Sequence, residues 1–173
     1  GVHVHVGLDH RNKAMPVLDG LLHHMPDLLA MSASSPYWYG NNTGYASQRA
    51  LVFQQLPTAG LPFQFEEWSG FENCVTDMFK TGVIESVTEV RWDIRPVPRY
   101  GTIEMRVCDG VDSLNEILAI TALTQCLVDD YSERLDNGEQ IETLPPWHVQ
   151  ENKWRAARYG MDAEIIYDAD GNE

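Results

Sequence analysis

Thr102-Ile103-Glu104-Met105-Arg106-Val107-Cys108-Asp109 alternates apolar and polar side chains with a period of two up to Cys108. Successive side chains on a strand project from opposite faces, so Ile103, Met105 and Val107 share one face and Glu104 and Arg106 the other. The pattern predicts a strand over about 101–108. Just upstream, Arg91-Trp92-Asp93-Ile94-Arg95 has the same habit inside a predicted strand over about 88–95. There Trp92 and Ile94 oppose Arg91, Asp93 and Arg95, and a turn through Pro96 and Pro98 joins the two strands. At the start of the chain, Val2-His3-Val4-His5-Val6 sets three valines against His3 and His5. Three such strands in one sheet give a greasy face and a face of His, Glu, Arg and Asp.

Around these strands the periodicity is helical. Asn12 is placed to cap a helix over about 13–24 that ends at His23-His24, where imidazole suits the helix dipole. Pro26 opens a second helix through Leu28, Leu29 and Met31. Residues 32–44 form a turn-rich loop bearing Tyr37, Trp38 and Tyr39, and a further helix is predicted over about 45–55. Ser69 with Glu72, and Ser113 with Glu116, have capping-box spacing. The first helix stops at Gly82. The second carries the stripe Ile117, Ile120, Leu123, Leu127 and Tyr131, predicts burial against the apolar sheet face, and ends near Asn137-Gly138. A short helix near 152–159 and a strand at 164–167 complete the reading. Helices and antiparallel-looking strands without regular βαβ alternation make the fold class α+β.

At 173 residues with 43% hydrophobic content, the chain is long enough to bury a core and is globular in composition. Its formal charge is −14, and residues 129–173 hold 12 of the acids against four bases. A pI near 4.6 argues against a nucleic-acid surface, which needs a basic face, but leaves room for a nucleotide held by a few arginines and a metal. Cys74, Cys108 and Cys126 form no Cys-x-x-Cys pair, which points to a reducing compartment such as the cytoplasm. No apolar run approaches a membrane span.

The polar face of the three strands suits a metal–phosphate complex. Imidazole with carboxylate ligates a divalent cation, and guanidinium groups fork onto phosphate or carboxylate oxygens. Equally, antiparallel sheets often keep one wet face of mixed charge. Cys108 alternates onto the face of Glu104 and Arg106 with no histidine base nearby in sequence, so a nucleophilic role is not expected. Cys74 and Cys126 fall within helices and read as core. Arg155 and Arg158 share a helix face, suited to a phosphate or to pairing with surface acids.

Taken in order, several segments resemble the glutamate–cysteine ligase-like carboxylate–amine ligase family, which is related to glutamine synthetase. They are Gly1-Val2-His3-Val4-His5-Val6-Gly7, Leu29-Ala30-Met31-Ser32-Ala33-Ser34-Ser35-Pro36-Tyr37-Trp38, Thr43-Gly44-Tyr45-Ala46-Ser47 and Pro57-Thr58-Ala59-Gly60. Asp93-Ile94-Arg95-Pro96, the 102–109 strand and Arg155-Ala156-Ala157-Arg158-Tyr159-Gly160 continue the match across nearly the whole chain.

The resemblance implies a curved antiparallel sheet with helices packed on one face, whose concave face binds ATP and magnesium. It implies that the γ-phosphate activates a carboxylate, usually that of glutamate, as an acyl phosphate that an amine then attacks. By position, His3 and Glu104 help hold magnesium, Arg106 meets the transferring phosphoryl group, and Arg95 and Arg99 contact nucleotide or substrate. His5 serves the phosphate end. Tyr45 and Arg49 belong to the family's substrate-side loop, where Tyr37, Trp38 and Tyr39 either wall an amino-acid pocket or anchor a turn.

The family normally begins with a strand of paired glutamates, which is not in this sequence, and it continues past the acidic end. Residues 1–173 therefore read as part of a single catalytic domain truncated at both ends, with small-molecule partners, inactive alone, and with room for a homo-oligomer. Two other readings use the same face: an ATP-dependent phosphotransferase, and a non-catalytic module whose His3, His5 and Glu104 hold a cation.

Overall fold

The computed structural model describes residues 1–168. In chain order the elements are β1 (Val4–Gly7), α1 (Ala14–Ser32), β2 (Tyr37–Trp38), β3 (Asn41–Asn42), α2 (Gln48–Phe53), β4 (Ala59–Gly60) and α3 (Trp68–Lys80). Then come β5 (Arg91–Trp92), β6 (Ile94–Val97), β7 (Thr102–Met105), α4 (Leu114–Asp136) and α5 (Pro146–Tyr159). The organising sheet is antiparallel in the order β1-β7-β6. Its register puts Val4, Met105 and Ile94 in one row across the strands and His5, Glu104 and Arg95 in the next. The first row is buried, as the alternation requires. The α+β class and an antiparallel sheet with helices on it therefore hold.

The α1 helix is the other half of the core. It packs against α4, α5 and β6, and Leu21, Leu22, Met25, Leu28 and Leu29 are essentially inaccessible. It is one helix, not the two expected on either side of Pro26. An interior proline costs about 3 kcal/mol, but burying several leucines at roughly 1.5–3 kcal/mol each outweighs it. His23 and His24 therefore sit mid-helix, and His23 Nε2 lies 2.8 Å from the Glu142 carbonyl oxygen. The helix begins at Ala14 after a 3₁₀ turn that His10 caps in place of Asn12.

The predicted strand over 88–95 is broken at Asp93. Before it, β5 pairs parallel with β4; after it, β6 pairs antiparallel with β7. Asp93 joins the two ladders, donating its N–H to the Gly60 carbonyl at 2.7 Å and accepting from the Arg106 N–H at 2.7 Å. Trp92 meets the rings of Phe63 and Phe65, just before α3, and of Phe71 on α3.

Further expectations shift in detail. The buried stripe of α4 is Ile120, Thr124, Val128 and Tyr131, and Leu123 is exposed. The helix packs against α1 and against β1 of the sheet, in one core with Ile103, Met105 and Val107. A reading by apolarity passed over Thr124, whose hydroxyl is satisfied within the helix by the Ile120 carbonyl at 2.8 Å. Ser113 is the N-cap residue of α4 without a side-chain cap bond, and Ser69 lies inside α3, whose N-cap is Glu67. A genuine capping box forms instead at Ser86 and Glu89. Gly82 and Gly138 do end their helices in the left-handed region. The α5 helix starts at Pro146, earlier than expected.

No strand forms at 164–167. The buried Asn152 amide takes a strand's place there, donating to the Ile166 carbonyl and accepting from the Ile166 N–H, both at 2.8 Å. Asn152→Ala leaves two main-chain groups of a buried residue unpaired, at roughly 1–3 kcal/mol each. Urea unfolding should show that loss, with Gln150→Ala on the exposed side of the same helix staying within about 0.5 kcal/mol.

Candidate functional site

Glu104 lies at the centre of the sheet, between His5 on β1 and Arg95 on β6. Its side chain is 3% exposed. The Oε2 atom accepts from Arg95 Nε at 2.6 Å and Oε1 from Arg106 Nη1 at 2.6 Å. His3 Nδ1 and His5 Nε2 stand 3.3 and 3.4 Å from Oε1. His3 and Glu104 thus share one face, as the alternation on their strands demands. Arg95 is pinned further by the carbonyls of Thr88 and Val90. His5 Nδ1 lies 3.0 Å from Thr102 Oγ1, and the His5 ring meets Tyr100 edge-on.

Burial pushes the Glu104 carboxyl pKa up, but hydrogen bonds and charge from Arg95 and Arg106 overcome this and leave it below the usual carboxylate value. For His3, burial and then the Arg106 charge push the pKa down against the pull of Glu104. The cluster therefore carries two guanidinium groups against one carboxylate. Arg106 Nε is buried without a hydrogen-bond partner. That surplus of positive charge suits a phosphoryl or carboxylate oxygen.

As a magnesium shell the cluster is incomplete. Magnesium requires near-octahedral oxygen ligation, and both oxygens of the single carboxylate here are engaged by arginines. Among the described residues no group of three or more His, Cys, Asp or Glu is arranged to hold a metal ion.

The other candidates lie apart from this cluster in their contacts. Arg99 is exposed in the β6–β7 turn, over the Tyr100 ring. Arg49 donates to the carbonyls of Val107 and Arg106 at 3.0 and 3.3 Å, which braces the strand carrying Arg106. The Tyr45 hydroxyl accepts from Trp154 Nε1 at 3.3 Å, and Arg158 stacks over the Tyr45 ring. Arg155 pairs with Glu151. Tyr37, Trp38 and Tyr39 are exposed on the β2–β3 hairpin. Cys108 does not join the polar face: it is fully buried with Sγ 3.8 Å from the Leu28 carbonyl oxygen, and burial pushes its thiol up to about 11. The alternation ends with β7 at Met105, so it no longer governs position 108. Cys126 is exposed and Cys74 half-buried, so neither is core.

Two arrangements escaped the sequence reading. Asp109, 1% exposed, accepts from the Ser34 N–H and the hydroxyls of Ser35 and Ser47 at 3.0, 2.6 and 2.9 Å, tying two loops to the end of the sheet. Asp93 accepts from Lys153 Nζ at 2.6 Å, with both side chains buried. The signal for Asp109 was its place three residues after Arg106 in the Glu-x-Arg-x-x-Asp pattern. Nothing in the sequence pairs positions 93 and 153.

The model of glutamate–cysteine ligase family 2 matches residues 1–173. Among curated relatives, proteins provisionally named glutamate–cysteine ligase 2-2 from Paenarthrobacter aurescens and 2-1 from an Arthrobacter species are each 69% identical over all 173 residues. A relative from Micrococcus luteus, provisionally named glutamate–cysteine ligase 2, is 66% identical over the same span. The chain spans 45% of the length of the first two and 44% of the third.

The charge balance at Glu104 has a pH signature. With both pKa values depressed, His3 and Glu104 favour the folded state fully above their unfolded pKa values and lose that contribution as pH falls through the folded ones. An NMR titration should place the His3 midpoint below 6.5. Arg106→Met should raise that midpoint, and Glu104→Gln should lower it further.

Proposed function

The chain belongs to glutamate–cysteine ligase family 2, and from that premise we propose that the complete protein is an ATP-dependent ligase. In this reading it joins a carboxylate, the γ-carboxylate of glutamate, to an amine. The names of the relatives support the substrate class. The single structural observation that carries the reading is the pair of guanidinium groups gripping buried Glu104.

The chemistry has two steps. A carboxylate oxygen attacks the γ-phosphorus of ATP, forming an O–P bond as the bond to ADP breaks. The amine nitrogen then attacks the acyl carbon, and the C–N bond forms as inorganic phosphate leaves and the amine sheds a proton. Both steps concentrate negative charge on phosphoryl oxygens, where fixed cations lower the barrier. Arg106 and Arg95 take that role. Glu104 holds both rotamers, and the Thr88 and Val90 carbonyls hold Arg95 further, so little reorganisation is needed during reaction.

His5 and Arg99 serve the nucleotide end, and Tyr45 and Arg49 the substrate side. ATP enters with magnesium. His3 and, on releasing an arginine contact, Glu104 would hold part of the ion's shell, and the ion would supply charge neutralisation at the phosphates. Residues 1–173 act as part of one catalytic domain on a curved, glutamine synthetase-like sheet, in the cytoplasm.

Steady-state phosphate release from the complete protein, with ATP, glutamate and a panel of amines, tests the reading. Release should require both the acid and an amine. Glu104→Ala or Arg106→Ala should lower kcat roughly 10²-fold or more, the scale for removing one preorganised electrostatic group. Variants as active as the parent would reduce the cluster to a wet sheet face. Residues 1–173 alone should show no acceptor-dependent release, because one carboxylate is too sparse a shell for catalytic magnesium.

A further inference from the structure

The α5 helix has two unlike faces. His148, Val149, Asn152, Lys153, Ala156 and Ala157 are buried, and α1 is the main neighbour of the helix. A helix packed on one side ordinarily turns charged or small polar groups to solvent on the other. Here the outer ridge is Trp147, Glu151, Trp154 and Arg158, spaced so that they stand in one row. Trp147 is 63% exposed and Trp154 39%. Trp154 is held in place, because its Nε1 donates to the Tyr45 hydroxyl at 3.3 Å. Tryptophan, tyrosine and arginine side by side are the composition of a binding hot spot rather than of bare surface.

Arg158 lacks a counter-charge. Its guanidinium lies over the rings of Tyr45 and Tyr159, 5.1 and 5.7 Å from their centroids. Such contacts engage the flat face of the cation and leave the N–H groups at its edge. No carboxylate pairs with it among the described residues, in a chain with 26 acids against 12 lysines and arginines. Glu151 stands two helical turns before it on the same face. Its Oε1 accepts from Arg155 Nε at 3.0 Å, and a carboxylate has room for further donors.

Acid before Trp154 and base after it make the ridge complementary to itself when reversed. Set antiparallel across a two-fold axis beside Trp154, each Glu151 faces the partner's Arg158 and the two Trp154 side chains meet. Trp147 then reaches towards the partner's Met161, which is 74% exposed just beyond the helix. A parallel copy would set like charge on like, and a wholly acidic partner would set its charge against Glu151. We propose that the outer face of α5 is an interface between two copies of the protein, paired antiparallel about a two-fold axis with Glu151 and Arg158 exchanged across it. The interface stands on this ridge and is independent of the ligase reading.

Sedimentation velocity of the complete protein over roughly 1–100 µM tests it. A dimer should form, and Glu151→Arg or Arg158→Glu should each raise its dissociation constant at least about tenfold by setting like charges face to face. Combined in one chain, the two reversals place opposite charges across the axis again and should recover most of that loss. A merely structural role for either residue gives no such rescue. Trp147→Glu should also raise the constant at least about tenfold, and it decides the matter if melting curves show that the charge reversals unfold the protein.

A monomer at every concentration would overturn the proposal. If Trp147→Cys then resisted a maleimide, another segment of the same chain would be what covers the face. A dimer that none of these variants weakens would place the contact elsewhere, and a double reversal as weak as the single ones would rule out the two-fold arrangement.

Discussion

A carboxylate at the centre of a sheet cannot remain ionised out of water unless cations and donors replace its hydration, and Glu104 meets that demand by recruiting Arg95 and Arg106. The pairing fixes much else. The β6 strand must lie beside β7 in the register that sets Arg95 opposite Glu104, and β1 must present its histidines on the same side. The opposite face, bearing Ile103 and Met105, is left apolar and is covered by helices, α1 foremost among them. Breaking a buried pair of this kind by deleting one partner is costly, because the survivor is left charged and dry. The cluster is therefore held rigidly before any ligand arrives.

The same constraint recurs along the chain at Asp93 and Asp109. Each is a buried carboxylate near β7, and each ties a separate piece of structure to the sheet. Asp93 is matched by Lys153 and fastens α5. Asp109 is matched by serine hydroxyls, a main-chain N–H and, at 3.6 Å, Arg49, and it fastens the segment after α1 to the N-cap residue of α2. Three acids thus define the interior polar framework, while the acids of residues 129–168 lie mainly at exposed positions. That division explains how a strongly acidic protein keeps a locally cationic patch around Arg95 and Arg106. Surface charges are screened within about 10 Å at ordinary salt, whereas the partners inside the framework are in direct contact.

Period-two alternation determined from sequence alone that His3 shares a face with His5 and Glu104 with Arg106, because strand geometry leaves each side chain only two directions, and the β1-β7-β6 register then set these and Arg95 on one side. The helices α3 and α4 and their glycine ends were legible for a similar reason, since apolar spacing and positive-φ glycines are local signals. The match to glutamate–cysteine ligase family 2 was legible in the order of the motifs. What alternation could not reveal is where it stops. The break at Asp93 and the inward turn of Cys108 depend on a second ladder, β4 with β5, and on α1, both distant in sequence. Likewise Thr124 and Asn152 take interior positions because their polar groups find partners within the fold, and polarity read residue by residue places such side chains outside. The pairing of Lys153 with Asp93 spans 60 residues, and only the packing of α5 against the sheet decided it, because an ion pair of this separation leaves no periodic trace in the chain.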